Sequence, residues 1–321
     1  MQRLALTLVL LSAVLPAHAA TAQAYPVRPV RMLLPQPPGG TMETVGRAVS
    51  QIVAQSWGQN IVIDNRSGAN GIIAGELTVR AVPDGYTLLY TSASLANNQL
   101  VHRKPSFDAL KDLAPITQVT NLPGYLVLVN AQLPAKSMTD LVELSKTSRV
   151  HFGSSGYGNS QHLLGELVNA RSGAKLVHVP YKGFALIITG LISNEVQVAF
   201  GAPTTVMQHI KAGRIRAIAY TGAQRWPGMP ELPTAVESGI PGLVYAASWH
   251  GLFAPVGTPP AVIATVHAAF AKAVHSPQMA NMLSSGGHVA VGNTPAEFKA
   301  FLQGYFKDTA EQMRIAKVMP E

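Results

Sequence analysis

The chain has 321 residues, a formal charge of +8, 47% hydrophobic but only 12% charged residues, and no cysteine. The missing cysteine excludes disulfides, thiolate metal sites and cysteine nucleophiles. Lysine and arginine are scattered and never form a run, so nucleic acid is not an expected partner, while the modest basic excess suits small anions.

At the N-terminus, Arg3, the apolar stretch Leu4 to Leu15 and the small-x-small pattern Ala17-His18-Ala19 read as a secretory signal peptide. Ala22-Gln23-Ala24 offers a second cleavage position, so residues 1–24 are expected to be removed and the product exported. The apolar run is too short for a membrane span of about 20 residues. The remaining length of about 300 residues exceeds what one core usually supports, and two domains are expected.

Val30 to Leu34 reads as a buried strand ending in Pro35-Gln36-Pro37-Pro38-Gly39-Gly40, with Thr41 as the N-cap of a helix to about Trp57 and Glu43 in its first turn. Ile61 to Ile63, a helix over Ile72 to Ala81, and Tyr86 to Tyr90 complete a β-α-β-α-β start, which argues for a parallel sheet covered on both faces. Ile116 to Val119 and Tyr125 to Val129, split by Asn121-Leu122-Pro123-Gly124, read as a crossover between domains. Ser137 and Asp140 have capping-box spacing and start a helix to about Ser148.

The stretch Phe152 to His162, FGSSGYGNSQH, follows a short strand and precedes an amphipathic helix with Leu163, Leu164, Leu167 and Val168 on one face. Such a stretch is either an ordinary βα loop with Ser160 as N-cap, or an anion site in which glycines bring backbone N–H groups to a ligand at a helix start. Further βα units follow: Leu176 to Val179 with a helix over Ala185 to Ile192, then Val196 to Phe200 with a helix over Thr204 to Ala212, then Ile215 to Ala219. Arg225 to Gly242 is a loop, Ser248 to Ala254 a returning strand, Thr258 with Pro259 at N1 starts a helix to about Val274, and Thr294 to Glu297 caps a long terminal helix.

Enzyme motifs fail. A nucleophile elbow around Ser155 needs glycine at Tyr157, and a dinucleotide loop from Gly156 needs glycine at Gln161. The histidines lack metal-ligand spacing, so no metal and no cofactor is expected. His162 sits where it could face a ligand, yet a serine-histidine pair would lack an evident acid.

Polar, glycine-bearing loops recur after the strands: Pro38-Gly39-Gly40-Thr41, Ser92-Ala93-Ser94, Ser154 to Ser160, and Tyr181-Lys182-Gly183. In parallel sheets the ends following the strands hold ligands. Donors without matching acids suggest a carboxylate, with Lys182 either a contributor or a solvated turn charge.

These motifs carry a resemblance. Tyr25-Pro26, Pro35-Gln36-Pro37-Pro38-Gly39-Gly40, Asn65-Arg66-Ser67-Gly68-Ala69-Asn70-Gly71, Pro83-Asp84-Gly85-Tyr86, Gly153-Ser154-Ser155-Gly156, His178-Val179-Pro180-Tyr181-Lys182-Gly183, His209 to Gly213 and Ala254-Pro255-Val256-Gly257-Thr258-Pro259 occur in order. With them the chain resembles the substrate-binding proteins of tripartite tricarboxylate transporters, the Bug family, over nearly its whole length. The resemblance implies a two-lobed periplasmic-binding-protein-like α/β fold of type II, each lobe a mainly parallel sheet flanked by helices. Lobe 1 would comprise 25–122 and 246–321 and lobe 2 123–245, joined by two hinge crossings.

It also implies that a small carboxylate is clamped between the lobes and delivered to the membrane permease of the transporter. The facing Pro-Gly-Gly and Ser-Ser-Gly loops would hold one carboxylate through backbone groups and water. The expected ligand-binding set is Pro38, Gly39, Gly40, Thr41, Ser92, Ser94, Ser154, Ser155, Gly156, Tyr157, Asn159, Ser160, Tyr181, Phe184, Gly201 and Ala202. Against the family pattern, Gln36, Glu43, Tyr157, Phe184 and Gly201 depart, the last standing where an acid is frequent. Two added aromatics favour a flat or apolar-bodied acid, aromatic or dicarboxylic, over an amino acid. Alternatives are a co-sensor presenting its ligand to a receptor kinase and, further off, a secreted serine hydrolase acting through Ser155.

Overall fold

The structure, a computed structural model, describes residues 25–102, 104–246 and 248–318. The expected signal peptide lies outside the described residues. In chain order the elements are β1 (Val30–Leu34), α1 (Thr41–Trp57), β2 (Ile61–Asn65), α2 (Ile72–Val79), β3 (Thr87–Ser92), α3 (Ser94–Val101), β4 (Leu113–Leu122), β5 (Leu126–Asn130), α4 (Met138–Thr147), β6 (His151–Ser154) and α5 (Ser160–Ser172). There follow β7 (Val177–Pro180), α6 (Phe184–Ile192), β8 (Val198–Gly201), α7 (Pro203–Lys211), β9 (Ile215–Tyr220), β10 (Ser248–Pro255), α8 (Pro260–Val274), α9 (Pro277–Ser285), β11 (Val289–Ala290) and α10 (Pro295–Ile315).

Two mixed sheets form, ordered β11-β4-β10-β3-β1-β2 and β7-β6-β8-β5-β9. Each contains a parallel trio, β2-β1-β3 in the first and β7-β6-β8 in the second. The remaining pairings are antiparallel. They arise because the strand on which the chain arrives in each sheet, β10 in the first and β5 in the second, runs against the trio, while β4 and β9, on which it leaves, run with it. The near-continuous apolar strands suit burial on both faces. Met32 and Leu34 of β1 pack with Val45, Val49 and Val53 of α1, while Leu33 between them packs with Trp249, Phe253 and Phe298 on the other face. Gly46 lets α1 approach Tyr90 closely, since a methyl group there would stand 3.2 Å from that ring.

The second sheet buries the expected face of α5, Leu163, Leu164, Leu167 and Val168, in one core that also takes Val101 of α3 and Met313 of α10. Thus α10 starts on the first sheet at Phe298 and Leu302 and ends on the second. The capping boxes expected at Ser137/Asp140 and Thr294/Glu297 are both complete.

The chain passes between the sheets twice, from β4 to β5 and from β9 to β10. Buried Thr221 ties the passages together. Its N–H donates to Tyr125 O (2.9 Å) and its carbonyl accepts from Tyr245 N (2.8 Å). Its hydroxyl accepts from Tyr125 N (2.8 Å) and donates to Tyr245 O (3.0 Å).

Candidate functional site

Parallel strands bring the loops that follow them to one sheet edge. On the first sheet, a methyl group added at Gly71 would lie 3.1 Å from Pro35 Cβ and 3.8 Å from Ser94 Oγ, so the loops after β1, β2 and β3 converge. Ser92 and Ser94 hydroxyls are 3.1 Å apart. On the second sheet, Gln161 joins the loop after β6 to the end of β8 by donating from Nε2 to Phe200 O (2.9 Å). The Phe184 ring occupies the space beside Gly201, 2.7 Å from where a methyl group would stand. The two edges meet: Asn97 Nδ2 of α3 donates to Ser160 Oγ of α5 (3.5 Å). Leu122 and Ala202 pack together with Tyr125.

The helices starting at these edges differ in how their first N–H groups are satisfied. The N-cap residue supplies no side-chain cap at α1 (Gly40), α3 (Ala93), α6 (Gly183) or α7 (Ala202), although at α3 Ser94 N donates to Ser92 Oγ (3.4 Å). Their unbonded N–H groups and the positive ends of their dipoles are suited to anions. At α1 the single nearby acid is already committed: Gly39 N donates to Glu43 Oε2 (2.6 Å), and Arg47 Nε donates to Oε1 (2.7 Å). The Gly39 and Arg47 hydrogen bonds hold the Glu43 carboxyl below the usual range. Glu43 therefore reaches back past the helix start and leaves Gly40 and Thr41 at the open end.

The loop before α5 is satisfied from within. Asn159, not Ser160, is the N-cap, and its Oδ1 accepts from Gln161 N and His162 N, both at 2.9 Å. The side chain one residue earlier wins because it reaches both the second and third N–H groups. Ser155 N and Oγ both donate to Gln161 Oε1 (3.1 and 3.0 Å). Gly156 N donates to Ser154 Oγ (3.1 Å), which donates to Gly156 O (3.0 Å). Gly158 N donates to His162 Nδ1 (3.0 Å).

The buried Ser154 hydroxyl also contacts His178 Nε2 (2.6 Å). The Ser154 oxygen thus lies within hydrogen-bond distance of Gly156 N, Gly156 O and His178 Nε2, and the Ser155 hydroxyl faces an amide oxygen rather than a base. Tyr157 is the outward member of the loop, 40% exposed, its ring 4.7 Å from that of His162.

The sequence reading missed Asn97 and His178. Asn97 is fully buried, and among the described residues its Oδ1 has no hydrogen-bond partner. Its only sequence signal is a polar pair in a segment of weak periodicity. His178 meets Ser154 through the register of β6 on β7, which a linear motif does not show. Among the described residues no three His, Asp or Glu side chains gather as a metal site.

Two mixed α/β sheets, joined by two passages and presenting loop-and-helix starts to one another, define a two-lobed binding protein. The chain matches the family described as "Tripartite tricarboxylate transporter family receptor" over residues 45–314 and belongs to that family. It is 34% identical over 285 residues, 87% of this chain and 83% of the relative, to the "UPF0065 protein in tcbD-tcbE intergenic region" of Pseudomonas sp. (strain P51). It is 32% identical over 290 residues to protein BugT of Bordetella pertussis (strain Tohama I), 89% and 88% of the two chains.

Among solved structures it superposes on R. palustris Rpa4515 with adipate at a TM-score of 0.88 and 29% identity, covering 92% of this chain and 100% of that one. The periplasmic binding protein BugD gives 0.86 and 28%, with 92% and 100% covered. MatC of Rhodopseudomonas palustris with bound malate gives 0.81 and 26%, with 90% and 99% covered. The fold is thus that of the periplasmic binding proteins.

Proposed function

We propose that the protein is an exported receptor that captures a small carboxylate between lobe 1 (25–122 and 246–321) and lobe 2 (123–245) and hands it to a tripartite tricarboxylate transporter permease. The observation that carries this reading is the set of uncapped helix starts, α1 and α3 on one edge and α6 and α7 on the other. Pro38 to Thr41, Ser92, Ser94, Ser154 to Tyr157, Asn159, Ser160, Tyr181, Phe184, Gly201 and Ala202 surround the ligand in this reading. Adipate and malate in two related structures support a dicarboxylate.

Phe184, packed over Gly201, and exposed Tyr157 give the ligand an apolar wall on the side of the second sheet. Such a wall favours adipate or an aromatic acid over an amino acid. Thermal shift with adipate, malate, phthalate and aspartate tests this. At about 100 times Kd a true ligand adds roughly 2.7 kcal/mol to stability, a rise of several degrees in Tm. No rise with any carboxylate overturns the reading, and a rise with aspartate alone overturns the apolar-wall part of it. Uptake of labelled ligand, lost on deletion of the gene and restored by its return, tests delivery to a permease.

A further inference from the structure

We propose that His162 and His178 are the positioning residues of the loop over residues 154–158, each holding one bend of that loop as a neutral imidazole with its proton on Nε2. Its consequence for ligands rests on the binding reading above.

The β6–β7 register pairs Phe152 with His178 and Ser154 with Pro180, so His178 and Ser154 share a sheet face. In the proposed arrangement the Ser154 hydroxyl donates its one hydrogen to Gly156 O (3.0 Å). The 2.6 Å contact with His178 Nε2 is then made only with the imidazole donating. The chain Nε2–H of His178, Oγ–H of Ser154, Gly156 O fixes the first bend, where Gly156 takes φ 127°. At the second bend Gly158 takes φ 72°, and its N–H donates to His162 Nδ1 (3.0 Å), which requires that nitrogen to be unprotonated. The proton of neutral His162 is therefore on Nε2, turned toward Glu166 Oε1 (3.9 Å). The two imidazoles lie 4.1 Å apart, above Phe152. The Tyr157 ring sits against His162, so the aromatic proposed to meet the ligand is aimed by this pair.

The two histidines respond differently to acid. A second proton on His178 enters at Nδ1 and leaves the bond to Ser154 intact. A second proton on His162 enters at the nitrogen that accepts from Gly158, setting two donors against each other. The groups facing His162 are Glu166 on its own helix, His178 from β7 and Tyr157 from the loop. α3 contributes Val101 beside Gly158, and α10 contributes Met313 to the same core. Burial and the neighbouring His178 push His162 from 6.5 down to about 4. Its contribution to the bend is complete above 6.5 and is lost as pH falls from there towards 4.

The test needs no ligand. Histidine tautomers are read from 15N shifts, and amide exchange is followed at Gly156 and Gly158. His178→Leu and His162→Leu are expected to speed exchange at Gly156 and Gly158 respectively by about tenfold or more. His178→Gln supplies a donor near Nε2 and His162→Asn an acceptor near Nδ1, so each restores exchange to within about threefold of wild type. Wild-type exchange at Gly158, corrected for its intrinsic pH dependence, accelerates below pH 6.5, and His162→Asn abolishes that acceleration. Nδ1–H tautomers, unchanged exchange in the leucine variants, or an unchanged pH profile in His162→Asn overturns the proposal.

A second arm measures adipate affinity, expected to weaken about tenfold in His162→Leu and to recover in His162→Asn. Equal affinity in wild type and His162→Leu overturns the link to ligand. Failure of wild type to bind adipate while the exchange pattern holds supports the positioning role and counts against the binding reading.

Discussion

The loop before α1 and the loop before α5 have the same materials: a buried strand, glycines at positive φ (Gly39 at 97°, Gly156 at 127°, Gly158 at 72°) and a long helix. In the first, one acid binds Gly39 N and is neutralised by Arg47, and the helix start itself has no side-chain cap. In the second, Ser154, Asn159, Gln161 and His162 take up the N–H groups of Ser155, Gly156, Gly158, Gln161 and His162 itself. Glycine-rich loops of similar appearance therefore differ in what they offer a ligand. The first leaves its helix start without a side-chain cap, whereas the second ties its N–H groups to its own side chains, with Tyr157 projecting from it.

The strongest way to break this contrast is to remove the centre of the rigid loop. Gln161 is buried and serves Ser155 N, Ser155 Oγ and Phe200 O. Gln161→Leu takes a partner from the half-buried Ser155 N–H and from the buried Phe200 carbonyl, each costing about 1–3 kcal/mol where burial is complete. A loss of roughly 3 kcal/mol lowers Tm by about 8 °C for a protein of this size. A fall of under about 2 °C in calorimetry would show that the loop does not depend on Gln161.

Acid separates the two loops next. His162, depressed to about 4, withdraws its support from the α5 loop between pH 6.5 and 4. Glu43 is held below its ordinary 4.5, so the α1 loop keeps its support above 4.5 and loses it only as pH falls through the lowered value. Amide exchange is expected to accelerate first at Gly158 and later, below about pH 4.5, at Gly39. The reverse order would invert the contrast.

Much of the fold was legible because period and caps agree locally. α4, α5 and α10 have apolar spacing with a start signal, and the first strands are uninterrupted apolar runs, whereas α1 has the spacing alone: Gly40, not the expected Thr41, is its N-cap, and no side chain caps it. α3 was missed because SLANNQLV has no cap, and its helical state depends on packing between the lobes. α9 was missed although Ser276 and Pro277 are a start signal of the same kind as Thr294 and Pro295. β11 is two residues long and exists only by pairing with β4.

For the site, the strand-loop-helix pattern places the loops correctly at the sheet edges. It does not show which loop binds its own donors, because Gln161 reaches a different strand and His178 comes from another βα unit. Those contacts depend on register, which local periodicity does not encode.

The finest test exchanges the character of the two helix starts. Gly40 has φ −91° and ψ 166°, a conformation open to any residue, and a side chain there meets only Gln36 Oε1 at 3.4 Å. Gly40→Asp gives α1 the cap it lacks, adding a few tenths of a kcal/mol over glycine, while placing a charge where the carboxylate is proposed to sit. Affinity for adipate is expected to fall by about tenfold, or 1.4 kcal/mol, with Tm unchanged or slightly raised.

The mirror variant, Asn159→Ala, uncaps α5 and costs about 1 kcal/mol, roughly 3 °C in Tm. It exposes two N–H groups on the rigid loop. If calorimetry and titration show affinity lost in Gly40→Asp and stability lost in Asn159→Ala, donor presentation belongs to the first loop and shape to the second. If Gly40→Asp binds adipate as tightly as wild type, the open start of α1 is not where the carboxylate sits, and α6 and α7 remain as the donors to test.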